Sequence, residues 1–232
     1  MRVLVTGGSG FLGRHLIPAL EATGAAVDAP GSRDVDLRVP GVLQARYGTV
    51  RFDQIIHLAA WTRAGGFCRA HGGEQWRRHQ AIDTEILGFW ADRQPQAKLV
   101  CFGTSVAYAP SAEEHGESSY LAGEPSADYF GYAMAKRSLY AGARTLAEQY
   151  GLRYLHLIPS TLYGPGYHTD GRPLHFIYDL VRKILRGVRH GESVTLWGDG
   201  HQRRELVYID DAVAWIVALS STAEGLLNLG AG

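Results

Sequence analysis

The stretch Thr6-Gly7-Gly8-Ser9-Gly10-Phe11-Leu12-Gly13 decides the fold. An apolar run, Val3-Leu4-Val5, leads into it, and residues 11–23 behind it have the apolar spacing of a helix. Gly7, Gly10 and Gly13 stand three residues apart. In a strand–loop–helix unit the first glycine permits a sharp turn and the second lets the backbone approach a pyrophosphate. The third lets the helix pack close to the sheet. The helix N-terminus then offers free N–H groups and the positive end of its dipole to phosphate. A glycine-rich turn without a ligand has the same composition, so the strand before and the helix after carry the reading. Gly7, Gly10, Phe11, Leu12 and Gly13 are therefore expected at a dinucleotide.

Outward from this loop the alternation continues. Strands are expected at 25–29, 54–59, 99–103 and 152–158, and long helices at 74–93 and 129–150, the second stopped by Gly151. The strands are apolar on both faces, which predicts an α/β fold with a doubly wound parallel sheet covered by helices. After Pro159 the pattern loosens. Residues 160–172 read as a loop, 174–186 as a helix, 194–197 and 206–209 as short strands, 211–220 as a helix, and 228–230 as a last strand. This divides the chain into a dinucleotide-binding part, 1–160, and a small substrate-binding portion, 161–232, interleaved with the last sheet elements.

Composition narrows the function. There are 29 glycines in 232 residues, well above the usual share of about 7%, with no collagen-like period. Lys+Arg and Asp+Glu both number 23, so the net charge is zero and binding to a nucleic acid polymer is not expected. Two cysteines, Cys68 and Cys101, make no disulfide framework and indicate a reducing compartment. No apolar run approaches the roughly 18 residues of a membrane span, and no signal-peptide pattern precedes the first strand. A cytoplasmic location is the expectation. The ten histidines form no His-x-x-x-His pair, there is no Cys-x-x-Cys, and a metal site is not expected. Cys101, in an apolar strand, reads as core, and Trp76, Trp90 and Trp215 read as packing residues. The basic stretch 182–189 reads first as a solvated helix face.

The end of the second strand sets cofactor preference. An NAD-binding fold usually places an acid there, on the ribose 2′-OH. This chain has Pro30-Gly31-Ser32-Arg33, with Asp28 inside the strand. Arg33 suits a 2′-phosphate, which leans the cofactor toward NADP, with NAD as the alternative. A solvated surface arginine is the other reading of Arg33. Asp36 and Leu37 follow at the spacing where such folds touch the adenine. In the helix 129–150, Tyr132-Ala-Met-Ala-Lys136 puts a phenol and an ammonium on one face. A lysine there is expected to lower the phenol's pKa from its usual value near 10, so that the phenol exchanges a proton with an alcohol or carbonyl oxygen. Thr104 and Ser105 end the fourth strand, where ligands bind in such sheets, and a hydroxyl there can hold the same oxygen.

Taken in order, TGGSGFLG (6–13), HLAA (57–60), GTSVAY (103–108), YAMAK (132–136), LYGPG (162–166) and RRELVYIDD (203–211) run along the whole chain. With them the sequence resembles the extended short-chain dehydrogenase/reductase family. It is most similar to the group of nucleotide-sugar epimerase/reductases of the GDP-L-fucose synthase type. The resemblance implies a Rossmann fold, with Leu58, Ala59, Ala60 and Pro159 also at the cofactor, and Lys136 at the nicotinamide ribose. Thr104, Tyr132, Lys136 and His175 become the catalytic set, His175 as acid/base or as a sugar contact. Ser105, Val106, Thr161, Lys183, Trp197 and Arg204 become substrate contacts, Arg204 at a diphosphate. A homodimer built as a four-helix bundle from 74–93 and 129–150 is also implied. Three departures shape the chemistry. Val106 stands where the fucose synthase pattern has a cysteine, so double epimerisation is not expected. Ser105-Val106 replaces the Asp-Glu of sugar dehydratases. Thr161 replaces an asparagine before Leu-Tyr-Gly-Pro. The C-terminal part also reads as shorter than in the family. The implied activity is NADP(H)-dependent reduction of a keto intermediate of a nucleotide-diphosphate sugar. A nucleotide-sugar epimerase with tightly bound NAD and a catalytically idle dinucleotide-binding protein are the alternatives.

Overall fold

The structure is a computed structural model that describes residues 1–63, 66–110, 115–168, 173–196, 198–201 and 203–230. Five strands, β1 (Arg2–Thr6), β2 (Ala26–Asp28), β3 (Gln54–His57), β4 (Lys98–Phe102) and β5 (Tyr154–Pro159), run through its centre. With β8 (Gly225–Leu229) they form one sheet in the order β2-β1-β3-β4-β5-β8, and every pair is parallel. The order reverses beside β1, so the switch point lies between the carboxyl ends of β1 and β3. A second, two-stranded parallel sheet pairs β6 (Thr161–Tyr163) with β7 (Leu206–Tyr208).

Period-two alternation in the strands sends side chains into two cores. Leu4, Ile55, Leu99 and Cys101 pack under α2 (Val42–Tyr47), α4 (Gly72–Arg93) and α5 (Phe130–Tyr150). Val3, Val5, Ile56, Val100 and Phe102 pack under α1 (Phe11–Ala22) and α7 (Ile209–Thr222). Burying both faces with apolar side chains is the dominant stabilising term, at about 25 cal/mol per Å² removed from water. Gly151 closes α5 in the left-handed conformation at φ +67°, as a C-terminal glycine should. Two further helices, α3 (Phe67–Ala70) and α6 (Phe176–His190), complete the set.

Several expectations change. Residue 161 opens strand β6 inside a stretch that reads as loop, because its three residues find a parallel partner in β7. The strand expected at 194–197 does not form over 194–196, where the backbone has no ladder partner and the side chains are exposed; Trp197 lies outside the described residues. Trp76 is 45% exposed rather than packed, while Trp90 is fully buried and donates its indole N–H to the Ala97 carbonyl at 2.9 Å. Asp28 is the last residue of β2, and its carboxylate accepts a hydrogen bond from the Arg2 guanidinium at 2.8 Å. The short helices α2 and α3 are additions to the sequence reading.

Candidate active site

The carboxyl ends of β1, β3, β4 and β5 bring the expected residues to one edge of the sheet. After β1, Gly7 has φ +71°, and a Cβ there would lie 2.6 Å from the Ala59 backbone nitrogen. The glycine thus lets this loop sit directly on the segment after β3, where the Leu58 N–H donates to the Thr6 carbonyl at 3.1 Å. A Cβ on Gly13 would lie 2.5 Å from the Gly8 carbonyl oxygen, so the start of α1 packs into its own loop. Gly10 caps α1 without a side-chain hydrogen bond, and the first turn of the helix holds no acid. Its N–H groups and the positive end of its dipole are thus not offset by an acid of that turn. This donor set fits a dinucleotide pyrophosphate.

Arg33 is exposed in the turn after β2. Asp36 is engaged by Arg38, whose guanidinium donates at 2.8 and 2.6 Å. The pair holds the Asp36 carboxyl down at about 2. Leu37 is buried below it.

Thr104 follows β4 in extended backbone, and Ser105 and Val106 begin a 3₁₀ turn, all three half-buried. Tyr132 lies in the first turn of α5 and Lys136 one turn further on the same face. Lys136 is 3% exposed, an unusual setting for an ammonium. Burial pushes the Tyr132 phenol well above its usual range; the Thr104 side chain, hydrogen-bonded to it, pulls the other way. The expected lowering is therefore reversed in the protein alone, because desolvation of the phenolate, reinforced by Cys68 and Asp83, outweighs the Thr104 hydrogen bond. Tyr132 holds its proton at neutral pH, the form that a proton donor requires.

Two features that place this pair escaped the sequence reading. Arg137, the next residue of α5, is 6% exposed and donates to the Ala107 carbonyl at 3.0 and 2.6 Å, to Ala122 at 2.8 Å and to Gly123 at 2.7 Å. One guanidinium thus ties the loop carrying Thr104 to the helix carrying Tyr132 and Lys136. A Cβ on Gly131 would lie 2.3 Å from the Gly72 carbonyl oxygen, so α5 begins in contact with the start of α4. A third feature is the buried polar set His57, His79 and Asp83 behind Tyr132. Its one sequence signal is the i,i+4 spacing of His79 and Asp83 on α4.

The remaining expected residues approach from the second half. Thr161 is half-buried in β6, and Pro159 ends β5. His175 caps α6, its Nδ1 buried without a hydrogen-bond partner. Burial, then the Arg204 charge, lowers the His175 imidazole below its usual value, which places the two side chains in one electrostatic neighbourhood. Arg204 itself is exposed. Lys183 pairs with Asp179 at 3.0 Å, and Arg182 of the basic stretch pairs with the same carboxylate. Cys101 is fully buried against the His156 Nδ1 at 3.0 Å, and burial pushes its thiol up, as befits a core residue.

Comparison with known proteins follows the same lines. A family model described as the NAD dependent epimerase/dehydratase family matches residues 3–230. A GDP-L-fucose synthase of Dictyostelium discoideum is 28% identical over 223 residues, covering 93% of this chain and 68% of that protein. A dTDP-4-dehydro-6-deoxy-D-allose reductase of Streptomyces bikiniensis is 26% identical over 246 residues, covering 96% of this chain and 73% of that protein. The crystal structure of a GDP-L-fucose synthetase from Naegleria fowleri bound to NADP superposes with a TM-score of 0.84 at 23% identity, covering all of this chain and 77% of that one. A GDP-D-glycero-L-gluco-heptose synthase from Campylobacter jejuni gives 0.88 at 17% identity, covering all of this chain and 80% of that one. These two likenesses show a shared fold. The glycine loop, the parallel sheet and the family match together establish that the chain belongs to the NAD-dependent epimerase/dehydratase family.

Proposed function

We propose that this chain is an NADP(H)-dependent reductase acting on a keto intermediate of a nucleotide-diphosphate sugar. One observation carries the reading: a phenol that keeps its proton lies beside a hydroxyl, Thr104, with the buried Lys136 one turn further along the same helix, at the carboxyl edge of the sheet. The names of the Dictyostelium and Streptomyces relatives support the substrate class. The NADP in the Naegleria structure supports the cofactor, with Arg33 as the residue for its 2′-phosphate.

Bound NADPH supplies a hydride. The 7–13 loop and the first turn of α1 hold its pyrophosphate, Asp36 and Leu37 flank the adenine, and Leu58, Ala59, Ala60 and Pro159 line the crevice. Lys136 holds the nicotinamide ribose. Thr104 donates a hydrogen bond to the substrate carbonyl oxygen, and Tyr132 gives its proton to that oxygen as negative charge grows on it. Lys136 stabilises the phenolate left behind. Ser105, Val106 and Thr161 contact the sugar, and Lys183, Trp197 and Arg204 contact the substrate further out, Arg204 at the diphosphate. Valine moves no proton, so Val106 limits the chemistry to reduction or to epimerisation at one centre. The unpartnered Nδ1 of His175 favours this residue as the acid/base for that one centre. Residues 161–232 form the substrate-binding portion, interleaved with the last sheet elements. The chain is further proposed to pair with a second copy through α4 and α5, which lie side by side on one face of the sheet.

The test is a panel of GDP- and dTDP-linked 4-keto sugars with NADPH, followed at the nicotinamide absorbance. Stoichiometric loss of NADPH with one member is the expected result. Turnover without loss of NADPH means an epimerase, and no turnover with any member overturns the reading.

A further inference from the structure

Behind the catalytic face runs a chain of buried polar groups that the proposed reaction leaves unused. The Ala59 N–H donates to Thr6 Oγ1 at 3.3 Å, Thr6 Oγ1 lies 2.7 Å from His57 Nδ1, and His57 Nε2 lies 3.1 Å from Asp83 Oδ1. His57 is fully buried, and Asp83 is 3% exposed. A carboxylate only accepts, so His57 donates from Nε2; its Nδ1 is then an acceptor, and the Thr6 hydroxyl donates to it. The chain has one direction throughout. It begins in the cofactor crevice, at the residue before Gly7, and ends at Asp83.

The second oxygen of Asp83 has no hydrogen-bond partner and lies 3.9 Å from His79 Nδ1. His79 is fully buried, and neither ring nitrogen has a side-chain hydrogen-bond partner; the Trp61 backbone carbonyl faces the ring and favours its protonated form. Its ring meets the Tyr132 ring edge-on at 5.5 Å. Asp83 is the one Asp or Glu among the buried described residues, and Lys136 shares its interior. The two charges act with opposite sign on His79 and on Cys101. Burial, reinforced by Lys136, pushes His79 down to about 4, so it is neutral at neutral pH.

We propose that Asp83 and His79 are positioning residues. Asp83 is the buried counter-charge of Lys136, and it holds His79 as the Nδ1–H tautomer, leaving Nε2 as an acceptor beside the Tyr132–Lys136 pair. This rests on the roles given above to Tyr132 and Lys136. The groups facing this interior are His57 from β3, Cys101 from β4, His156 from β5, Cys68 from α3, His79 and Asp83 from α4, Lys136 with Tyr132 from α5, and Tyr120 from the segment before α5. Asp83 is the carboxylate among them, and it favours the protonated form of Tyr132. Its loss removes one of the influences that keep the Tyr132 proton in place, so a reductase that needs that proton fails at a lower pH.

Asp83→Asn keeps an oxygen for His57 and replaces the charge with an amide that donates to His79. Long-range ¹H–¹⁵N spectra of the imidazoles, with His79 assigned by His79→Asn, read the tautomer directly. His79 is expected as Nδ1–H in the wild type and as Nε2–H in Asp83→Asn. With the keto-sugar that the panel identifies, the alkaline limb of kcat/KM is expected to move down by about one pH unit, the low end of the usual effect of a nearby charge. An Nε2–H tautomer in the wild type, or an unmoved alkaline limb, overturns the proposal. The wild-type tautomer needs neither a substrate nor a folded Asp83→Asn. If Tyr132→Phe stays fully active, the role of Tyr132 falls, while the tautomer still decides the coupling of Asp83 to His79.

Discussion

Gly7 is the position where the fold and the cofactor site meet, and Gly7→Ala measures how tightly. The backbone there has φ +71°, which costs an L-residue about 1–2 kcal/mol. The added Cβ would also lie 2.6 Å from the Ala59 nitrogen and 2.8 Å from the Ala59 Cα. These are backbone atoms held by β3, so the clash is relieved only by moving the loop, an overpacking cost of about 1–3 kcal/mol. The sum is about 2–5 kcal/mol, or roughly 4–20 °C in Tm at about 2–4 °C per kcal/mol for a chain of this size. Gly151→Ala is the control. Gly151 has φ +67° and nothing within 4 Å of its ideal Cβ, so it carries the conformational cost alone, about 1–2 kcal/mol. Thermal and urea unfolding of both variants, with NADPH titrations, gives the comparison. The expected result is that Gly7→Ala is the less stable and binds NADPH more weakly, while Gly151→Ala binds it normally. Equal stability losses in the two variants would refute the claim that the loop rests on the β3 segment.

Other outcomes follow from the same geometry. Arg33→Ala should weaken NADPH binding much more than NADH binding in fluorescence titrations, because the guanidinium meets only the 2′-phosphate. Acidification should destabilise the protein before most carboxylates titrate. Burial pushes His79 to about 4 and His156 to about 3, so between about pH 6.5 and pH 4 the unfolded chain binds protons that the folded chain refuses. Stability then falls with falling pH by about 1.4 kcal/mol per unit for each histidine. Urea melts from pH 7 to pH 5 should show that slope, and His156→Gln should make it shallower. Light scattering at micromolar concentration should give twice the 25.3 kDa chain mass, and a monomer mass contradicts the proposed pairing through α4 and α5.

Most of the sheet was legible because its strands are apolar on both faces and its helices keep their period. The 6–13 loop identified the first unit, and the Gly151 stop marked the end of α5. Residues 161–163 were not legible as a strand: three residues carry no periodicity, and only the parallel partner 206–208 gives them an edge. The apolar alternation at 194–196 found no partner and stayed exposed. Trp76 illustrates the same limit, since a tryptophan on a helix can face either way. Within the site, Tyr132, Lys136 and Thr104 could be found because their spacing and position along the chain are local. The chain from Thr6 through His57 to Asp83 could not, because it depends on the β1/β3 register that sets Thr6 against His57. The direction of the Tyr132 pKa was misread for a related reason, as a neighbouring lysine shows in sequence and the depth of burial does not.

The central claim is that Tyr132 gives its proton to the substrate oxygen, and Tyr132→Phe tests it most directly. The substitution removes one hydroxyl and leaves the ring against His79. Turnover of the active keto-sugar with NADPH, measured beside NADPH affinity and the melting temperature, separates chemistry from folding. The account predicts that kcat falls about 10²–10⁴-fold, the usual worth of general acid catalysis, while Kd for NADPH and Tm stay near wild type. A Tyr132→Phe protein with undiminished kcat would contradict it.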